Sequence, residues 1–275
     1  ASLYPVIYSV LFPRWFTGRE RARATSLMLG SLLLANIIGA PLSGVLLQTS
    51  FFGMHGWQEL FIIEAVPALL FSVLFFFGIK DRPDQVGWLT DAEKAYLTKA
   101  YEDEKAAMQN KKKYTVLQAF KDPKVLRLCL IYFLWVVGFW GFYFWMPTVL
   151  KQLSGWSTQL LGGAIAIPMT VALLVQFVIG WSSSKTGDKV WHVTLTLMVG
   201  AFGLALSPFA TDTTVALVLI CLSAIGIHAA MGVWWTIPTT FLTGPAAAGS
   251  VALINSCGNL GGWVGPYMMG WIKTN

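Results

Sequence analysis

Long apolar runs separated by short polar segments dominate this sequence. Runs of roughly 18 or more apolar residues are typical of membrane-spanning helices, because a helix needs about 20 residues to cross the bilayer core. The pattern predicts the end of one such helix at 1–12, followed by seven complete spans. These lie at about 24–48, 57–79, 126–150, 158–183, 190–210, 213–237 and 248–272. The predicted fold class is an all-α polytopic membrane protein.

Composition supports a position within the lipid bilayer. Hydrophobic residues make up 56% of the chain and charged residues only 12%, with a mean hydropathy of +0.62. About a quarter of a typical soluble protein is charged. The net charge of +6 comes mostly from the loops, so it bears on orientation in the membrane and not on nucleic-acid binding. The three cysteines lie within apolar runs, which indicates neither a disulfide framework nor a metal or cofactor site.

Lysine and arginine are concentrated on one side of the predicted spans. The turn at 13–23 carries four, the loop from Lys80 to Arg127 carries eleven, and the loop SSSKTGDK carries two. The opposite side carries only Lys151 and Lys273. Because cytoplasmic loops are enriched in these residues, we expect a multi-pass protein of the cell (inner or plasma) membrane whose long central loop is cytoplasmic.

The central loop is the only sizeable polar segment. Thr90 followed by Glu93 has the spacing of a capping box, so TDAEKAYLTKAYEDEKAAM is predicted to form a short surface helix. A polar segment of this length also indicates a seam between two helical bundles. The predicted division is therefore the end of a first bundle at 1–79, a central loop at 80–125 and a second bundle at 126–275.

The final apolar helix carries two asparagines on one face. It is predicted to follow a turn, TGPAAAGS, and its Asn255, Asn259, Gly262 and Pro266 recur at steps of four, three and four. Amide side chains require hydrogen-bond partners in hydrocarbon. This face is therefore expected to meet either protein or a hydrated cavity, and the alternative is that the amides only hold the bundle together.

Ionisable side chains within the predicted spans are rare, and Glu64 and His228 are the two clear cases. Such groups are costly in a membrane and suggest a function by default. For Glu64 we favour a structural partnership near the end of its helix. His228 is placed near the middle of its helix, either as a neutral histidine satisfied by a neighbouring helix or as a pH-sensitive cavity residue. Both are candidates for ion coupling.

Four segments resemble the anion:cation symporter branch of the major facilitator superfamily. They are WFTGRERARATSLMLGSLLLANIIGAPLSG, GWQELFIIEAVPALLF followed by DRPDQVGWLTDAEKAYL, GWSSSKTGDKVWH and ALINSCGNLGGWVGPYMMG. The third departs from the family motif G-x-x-S-D-R-x-G-x-R at Ser184, Lys185 and Lys189, which is expected to weaken its charge network. The resemblance covers essentially the whole chain. It implies an incomplete two-bundle helical fold holding about 8 of 12 spans, the fourth to the eleventh.

The resemblance also implies a function: secondary transport of small organic anions by alternating access. Sugar acids, tartrate-like acids and aromatic carboxylates are the implied substrates, carried by a monomer in symport with protons or another cation. It places the last helix beside a central cavity, where amides suit carboxylate and hydroxyl oxygens. In the 126–150 span, Tyr132, Trp135, Phe139 and Tyr143 form an aromatic stripe, and the hydroxyl of Tyr143 also requires a partner. The candidate substrate contacts are Asn259, Asn255, Tyr143, Asn36, Gln176 and Trp235.

Two other function classes compete with a carrier. A membrane-embedded enzyme would need a catalytic pair or metal cluster within the spans, and the sequence pairs no two ionisable groups suitably there. A channel would be expected to show charged rings or filter loops, and no such motif is visible.

Overall fold

The computed structural model describes residues 11–18, 20–48, 53–109, 116–241 and 244–274. Within these ranges the chain forms helices and turns, without a β-strand. The helices are α1 (Phe12–Trp15), α2 (Arg21–Leu46), α3 (Gly56–Gly78), α4 (Asp91–Gln109), α5 (Val116–Phe120), α6 (Pro123–Ser154), α7 (Thr158–Thr186), α8 (Val190–Leu206), α9 (Thr213–His228), α10 (Met231–Trp234) and α11 (Gly244–Thr274).

Six segments of the described chain are long and apolar enough to cross a membrane. They are formed by α2, α3, α6, α7, by α8 with its 3-10 extension, and by α9 together with α10. The predicted spans up to residue 210 agree with these helices to within about four residues, and the polytopic all-α fold is confirmed. The predicted helix end at 1–12 lies largely outside the described residues.

The last predicted span forms α11, a helix of 31 residues that is not among those six segments. The prediction that TGPAAAGS forms a turn is wrong, because the helix already begins at Gly244. Proline is well tolerated in the first turn of a helix, where its missing N–H costs nothing. The alanines that follow Pro245 are the strongest helix formers.

The predicted span at 213–237 is confirmed as a segment able to cross a membrane, Thr213–Trp234, but it is not one continuous helix. Helix α9 ends at His228, a turn follows at Ala229 and Ala230, and α10 begins at Met231. Beyond the turn, Gly232 packs onto α2 so closely that a Cβ there would lie 2.7 Å from the backbone nitrogen of Ser26. His228 therefore lies at a helix end and not in mid-helix.

The helices that frame the centre of the molecule pack in pairs. Helix α2 lies along α7, α11 lies along α6, and α9 packs against α8 and α7. Small residues permit the close approach of α6 and α11, since a Cβ on Gly261 would lie 2.6 Å from the carbonyl oxygen of Phe133. Close contact through small residues is typical of helix pairs in membranes. It brings the asparagine face of α11 beside the aromatic residues of α6.

The central loop docks onto the charged end of this bundle through α4. The predicted capping box is confirmed: the Thr90 backbone N–H donates to Glu93 Oε2 at 2.9 Å, and the Glu93 N–H donates to Thr90 Oγ1 at 3.3 Å. The hydrogen bonds that the carboxylate of Glu93 accepts from the backbone N–H and from the hydroxyl of Thr90 lower the pKa of Glu93. Near the other end of α4, the carboxylate of Glu104 accepts two hydrogen bonds from Arg21. Nη1 donates to Oε1 at 2.8 Å and Nη2 donates to Oε2 at 2.5 Å. This bidentate pair joins the loop to the start of α2.

Lys189, between α7 and α8, lies near the same ion pair. Burial lowers its pKa and the charge of Arg21 lowers it further, whereas Glu104 raises it. Its ammonium group donates to the carbonyl oxygen of Thr236 at 3.4 Å. The charged end of the bundle thus brings together segments that are far apart in the sequence.

Candidate functional site

A cavity of about 350 Å³ lies among α2, α6, α9, α10 and α11. This volume is within the range of small-molecule sites, about 300–1,000 Å³. Its walls combine aromatic rings, aliphatic side chains and neutral polar groups. The lining residues are Leu29, Leu32, Asn36, Tyr132, Val136, Phe139, Trp140, Tyr143, His228, Met231, Trp235, Asn255 and Asn259.

One face of α6 supplies the aromatic wall. Tyr132, Val136, Phe139, Trp140 and Tyr143 are spaced at steps of four, three, one and three, which places them on the same side of a helix. The rings of Phe139 and Tyr143 are stacked with centroids 4.8 Å apart. Tyr132 meets Trp235 edge to face at 4.9 Å. These contacts fix the rings in position before any ligand is bound.

Three asparagine amides supply the polar groups of the opposite walls. Asn36 donates from Nδ2 to the carbonyl oxygen of Leu32, and Asn259 donates to that of Asn255, both at 2.8 Å. Each bond spans one helical turn and orients the amide. An amide has two N–H donors and one oxygen acceptor. For Asn36 and Asn259, one N–H and the oxygen therefore have no partner among the described residues, and can serve a ligand.

His228 is buried at the end of α9, with 3% of its surface exposed. Its ring lies edge-on to Phe139 at 5.3 Å and to Tyr143 at 5.7 Å. Among the described residues, no hydrogen-bond partner reaches its Nε2 atom. An unsatisfied buried polar atom is unfavourable by about 1–3 kcal/mol, so this imidazole is a candidate for direct contact with a bound ligand.

The cavity brings together six of the eight sequence-predicted site residues. They are Asn36, Tyr143, His228, Trp235, Asn255 and Asn259. Gln176 lies elsewhere: it is buried between α7 and α2, and its Nε2 donates to the carbonyl oxygen of Ser26 at 2.6 Å. Glu64 is also outside the lining, exposed on α3, where it accepts a hydrogen bond from Ser43 Oγ at 2.8 Å. This contact is of the kind that a structural partnership of Glu64 would use. The functional roles of all eight remain predictions.

Trp140 and Val136 are lining residues that were not selected from the sequence. The sequence could have indicated both, because Val136 lies four residues after Tyr132 and Trp140 lies four residues after Val136, on the same side of the helix. One member of that stripe belongs to the packing instead. Trp135 donates from its indole nitrogen to the carbonyl oxygen of Ile227 at 2.9 Å and is buried between α6 and α9.

Among the described residues, the lining contains neither a carboxylate nor a lysine or arginine. No group of three or more metal-ligating side chains occurs in the part of the chain that the structure describes. The site can therefore offer neutral hydrogen-bond donors and acceptors together with ring faces. It is suited to holding a small molecule.

Apolar helices around a cavity with neutral polar groups define a multi-pass membrane protein with a site for a small solute. The family model of the Major Facilitator Superfamily matches residues 1–266. The chain therefore belongs to this superfamily, and the resemblance seen in the sequence is confirmed.

Several curated transporters are similar to this chain. A protein of Agrobacterium vitis named "Putative tartrate transporter" is 38% identical over 260 residues, which cover 94% of this chain and 60% of the relative. The inner membrane transport protein RhmT of Escherichia coli is 33% identical over 98% of this chain and 62% of its own length. A quinolone resistance transporter of Acinetobacter baumannii is 32% identical over 99% and 63%. The chain thus spans about three fifths of these relatives.

Proposed function

We propose that the protein containing this chain is a secondary transporter that carries a small organic anion through the described cavity. The observation that carries the proposal is the placement of amide groups from α2 and α11 around one cavity among apolar spans. Amides in apolar surroundings are costly without partners, and a substrate with oxygen acceptors would satisfy their N–H groups. The name of the Agrobacterium vitis relative, a putative tartrate transporter, supports this class of cargo.

We propose symport with a proton or another cation, by alternating access of two bundles. Under this proposal the chain contributes the end of one bundle (1–79), the central loop (80–125) and most of the second bundle (126–275). Coupling requires a group that changes its protonation or ligation during the cycle. His228, inside the cavity, and Glu64, on α3, are the candidates. We further propose that the transporter works as a monomer and without a cofactor.

An alanine at Asn259 is expected to weaken substrate binding. Removing one amide leaves a buried substrate oxygen without its donor, which costs about 1–3 kcal/mol. The apparent affinity should fall about ten- to hundredfold with normal membrane insertion. The measurement is concentration-dependent uptake of labelled organic acids by proteoliposomes that contain the complete transporter.

Gln176→Met provides the matched control, because it removes an amide that is engaged with Ser26 outside the cavity. This variant should lower the thermal midpoint and leave substrate affinity unchanged. Wild-type affinity in Asn259→Ala would reassign Asn259 to helix packing.

Transport by a carrier is favoured over an enzyme or a channel. The superfamily and the similar proteins are transporters, and the described cavity presents no catalytic pair. Counterflow in proteoliposomes separates the remaining alternatives. A carrier accelerates the entry of labelled substrate when unlabelled substrate is present on the opposite side, whereas a channel does not.

We propose that the protein lies in the cell membrane with its central loop in the cytoplasm. Lys99 on α4 and Thr211 in the α8–α9 loop are both exposed and are expected to face opposite sides. Single cysteines at these positions, in a variant without native cysteines, test this with an impermeant maleimide. Thr211→Cys should be labelled in intact cells, and Lys99→Cys only after permeabilisation. Labelling of Lys99→Cys in intact cells would reverse the orientation.

A further inference from the structure

The cavity is richer in aromatic rings than the chain that forms it. Five of the thirteen described residues that line it are Phe, Tyr or Trp, whereas these types make up 14% of the sequence. They are not scattered: four of the five lie on one face of α6. Trp140 is 38% exposed, so part of its indole is accessible. A continuous wall of this kind favours a ligand that presents a flat apolar surface.

The polar groups of the cavity suit one negative charge better than two. Those that the described residues supply to the lining are neutral: three amides, two phenols, two indoles and one imidazole. Burying a carboxylate is costly unless it is paired or fully hydrogen-bonded. A tartrate-like acid brings two carboxylates and two hydroxyls and would leave the aromatic wall without a complementary partner. A single carboxylate can be met by Asn255, Asn259 and the unsatisfied Nε2 of His228.

We infer that the anion held in this cavity is an aromatic monocarboxylate. Its ring lies against the α6 wall formed by Tyr132, Phe139, Trp140 and Tyr143, and its carboxylate faces the amide and imidazole groups. The inference rests on the proposed function, because it assumes that the cavity is the transport site. The inferred ligand differs from tartrate, the substrate in the name of the Agrobacterium vitis relative.

The first test compares ligands that differ in one property. Benzoate and 4-hydroxybenzoate carry a ring and one carboxylate, cyclohexanecarboxylate keeps the carboxylate and the ring size without π-electrons, and L-tartrate lacks a ring. Thermal stabilisation of the complete transporter in detergent measures binding, and counterflow in proteoliposomes measures transport. At least one aromatic acid should bind about three- to tenfold more tightly than cyclohexanecarboxylate, and tartrate should give no saturable binding.

The second test substitutes Trp140, one residue of the α6 aromatic wall. Trp140→Leu should weaken binding of the aromatic acid about five- to tenfold, whereas Trp140→Phe, which keeps a ring, should stay within about threefold of wild type. Trp191→Leu is the control, because Trp191 is an exposed tryptophan on α8 outside the cavity. It should leave the affinity unchanged.

The possible failures are distinguishable. Tight binding and counterflow of tartrate, with weaker binding of both aromatic acids, would overturn the inference and leave organic-anion transport standing. Equal affinity for benzoate and cyclohexanecarboxylate, or equal loss in the leucine and phenylalanine variants at position 140, would remove the role of the aromatic wall. Absence of binding and counterflow with every acid would refute the inference and the proposed function together.

Discussion

Valine in place of Gly226 is expected to prevent stable folding by forcing α8 and α9 apart. The two helices touch through their backbones: a Cβ on Gly226 would lie 2.5 Å from the backbone nitrogen of Gly200 and 2.9 Å from the carbonyl oxygen of Thr196. Overpacking against side chains costs about 1–3 kcal/mol. Backbone atoms cannot rotate away, so we expect a loss of at least about 3 kcal/mol. Size-exclusion chromatography and thermal unfolding in detergent measure the effect.

A matched glycine on α6 provides the control. Beyond its chain neighbours and the backbone of its own helix, no described atom lies within 4 Å of a Cβ at Gly138, so Gly138→Ala adds a methyl group where there is space for it. Alanine is favoured over glycine within helices by about 0.5–1 kcal/mol, and this variant should be as stable as wild type or slightly more stable. A Gly226→Val protein with wild-type stability would show that α8 and α9 are not in contact as described.

The helices of this fold could be predicted because their apolar runs are long. The predicted helix boundaries were wrong at two places, the start of α11 and the end of α9. TGPAAAGS was assigned to a turn because it contains glycine and proline, although Pro245 and the alanines after it favour the start of a helix. The end of α9 at His228 had no comparable local signal. The turn after it brings Gly232 against Ser26 of α2, a contact between positions more than 200 residues apart.

The candidate site could be predicted in part, because helical spacing shows which side chains share a face of a helix. Helical spacing placed Asn255 and Asn259 on one face, and both line the cavity. Spacing cannot distinguish a buried amide that faces a cavity from one that bonds to a distant backbone. Gln176 is of the second kind, since its partner Ser26 is 150 positions away in the sequence. Trp140 was accessible to the same spacing argument, but its position in the cavity depends on how α6 and α11 meet.

Phenylalanine in place of His228 is expected to stabilise the protein while it impairs binding. The change removes an imidazole whose Nε2 has no hydrogen-bond partner among the described residues. It supplies a ring of similar shape to pack against Phe139 and Tyr143. Removing an unsatisfied buried polar group should raise the free energy of unfolding by up to about 1–3 kcal/mol. The measurement is the thermal midpoint of the complete transporter in detergent.

The same variant should lose substrate affinity. A hydrogen bond to a charged group contributes about 1.5–3 kcal/mol, so the loss of an imidazole–carboxylate contact should reduce apparent affinity about tenfold to more than a hundredfold. Functional sites commonly trade stability for binding in this way. Uptake and binding of the organic acid, measured beside the thermal midpoint, test the two effects together.

His192→Phe is the matched control for the effects of His228→Phe on stability and on affinity. His192 lies at the start of α8, where its Nδ1 meets Asp188 Oδ2 and its Nε2 meets Ser182 Oγ, both at 2.9 Å. Because both ring nitrogens are engaged, the same substitution there should lower the thermal midpoint and leave substrate affinity intact. If His228→Phe instead lowered the midpoint and kept wild-type affinity, His228 would be a structural residue. Ligand binding in the described part of the cavity would then fall to its other polar groups, the asparagines first among them.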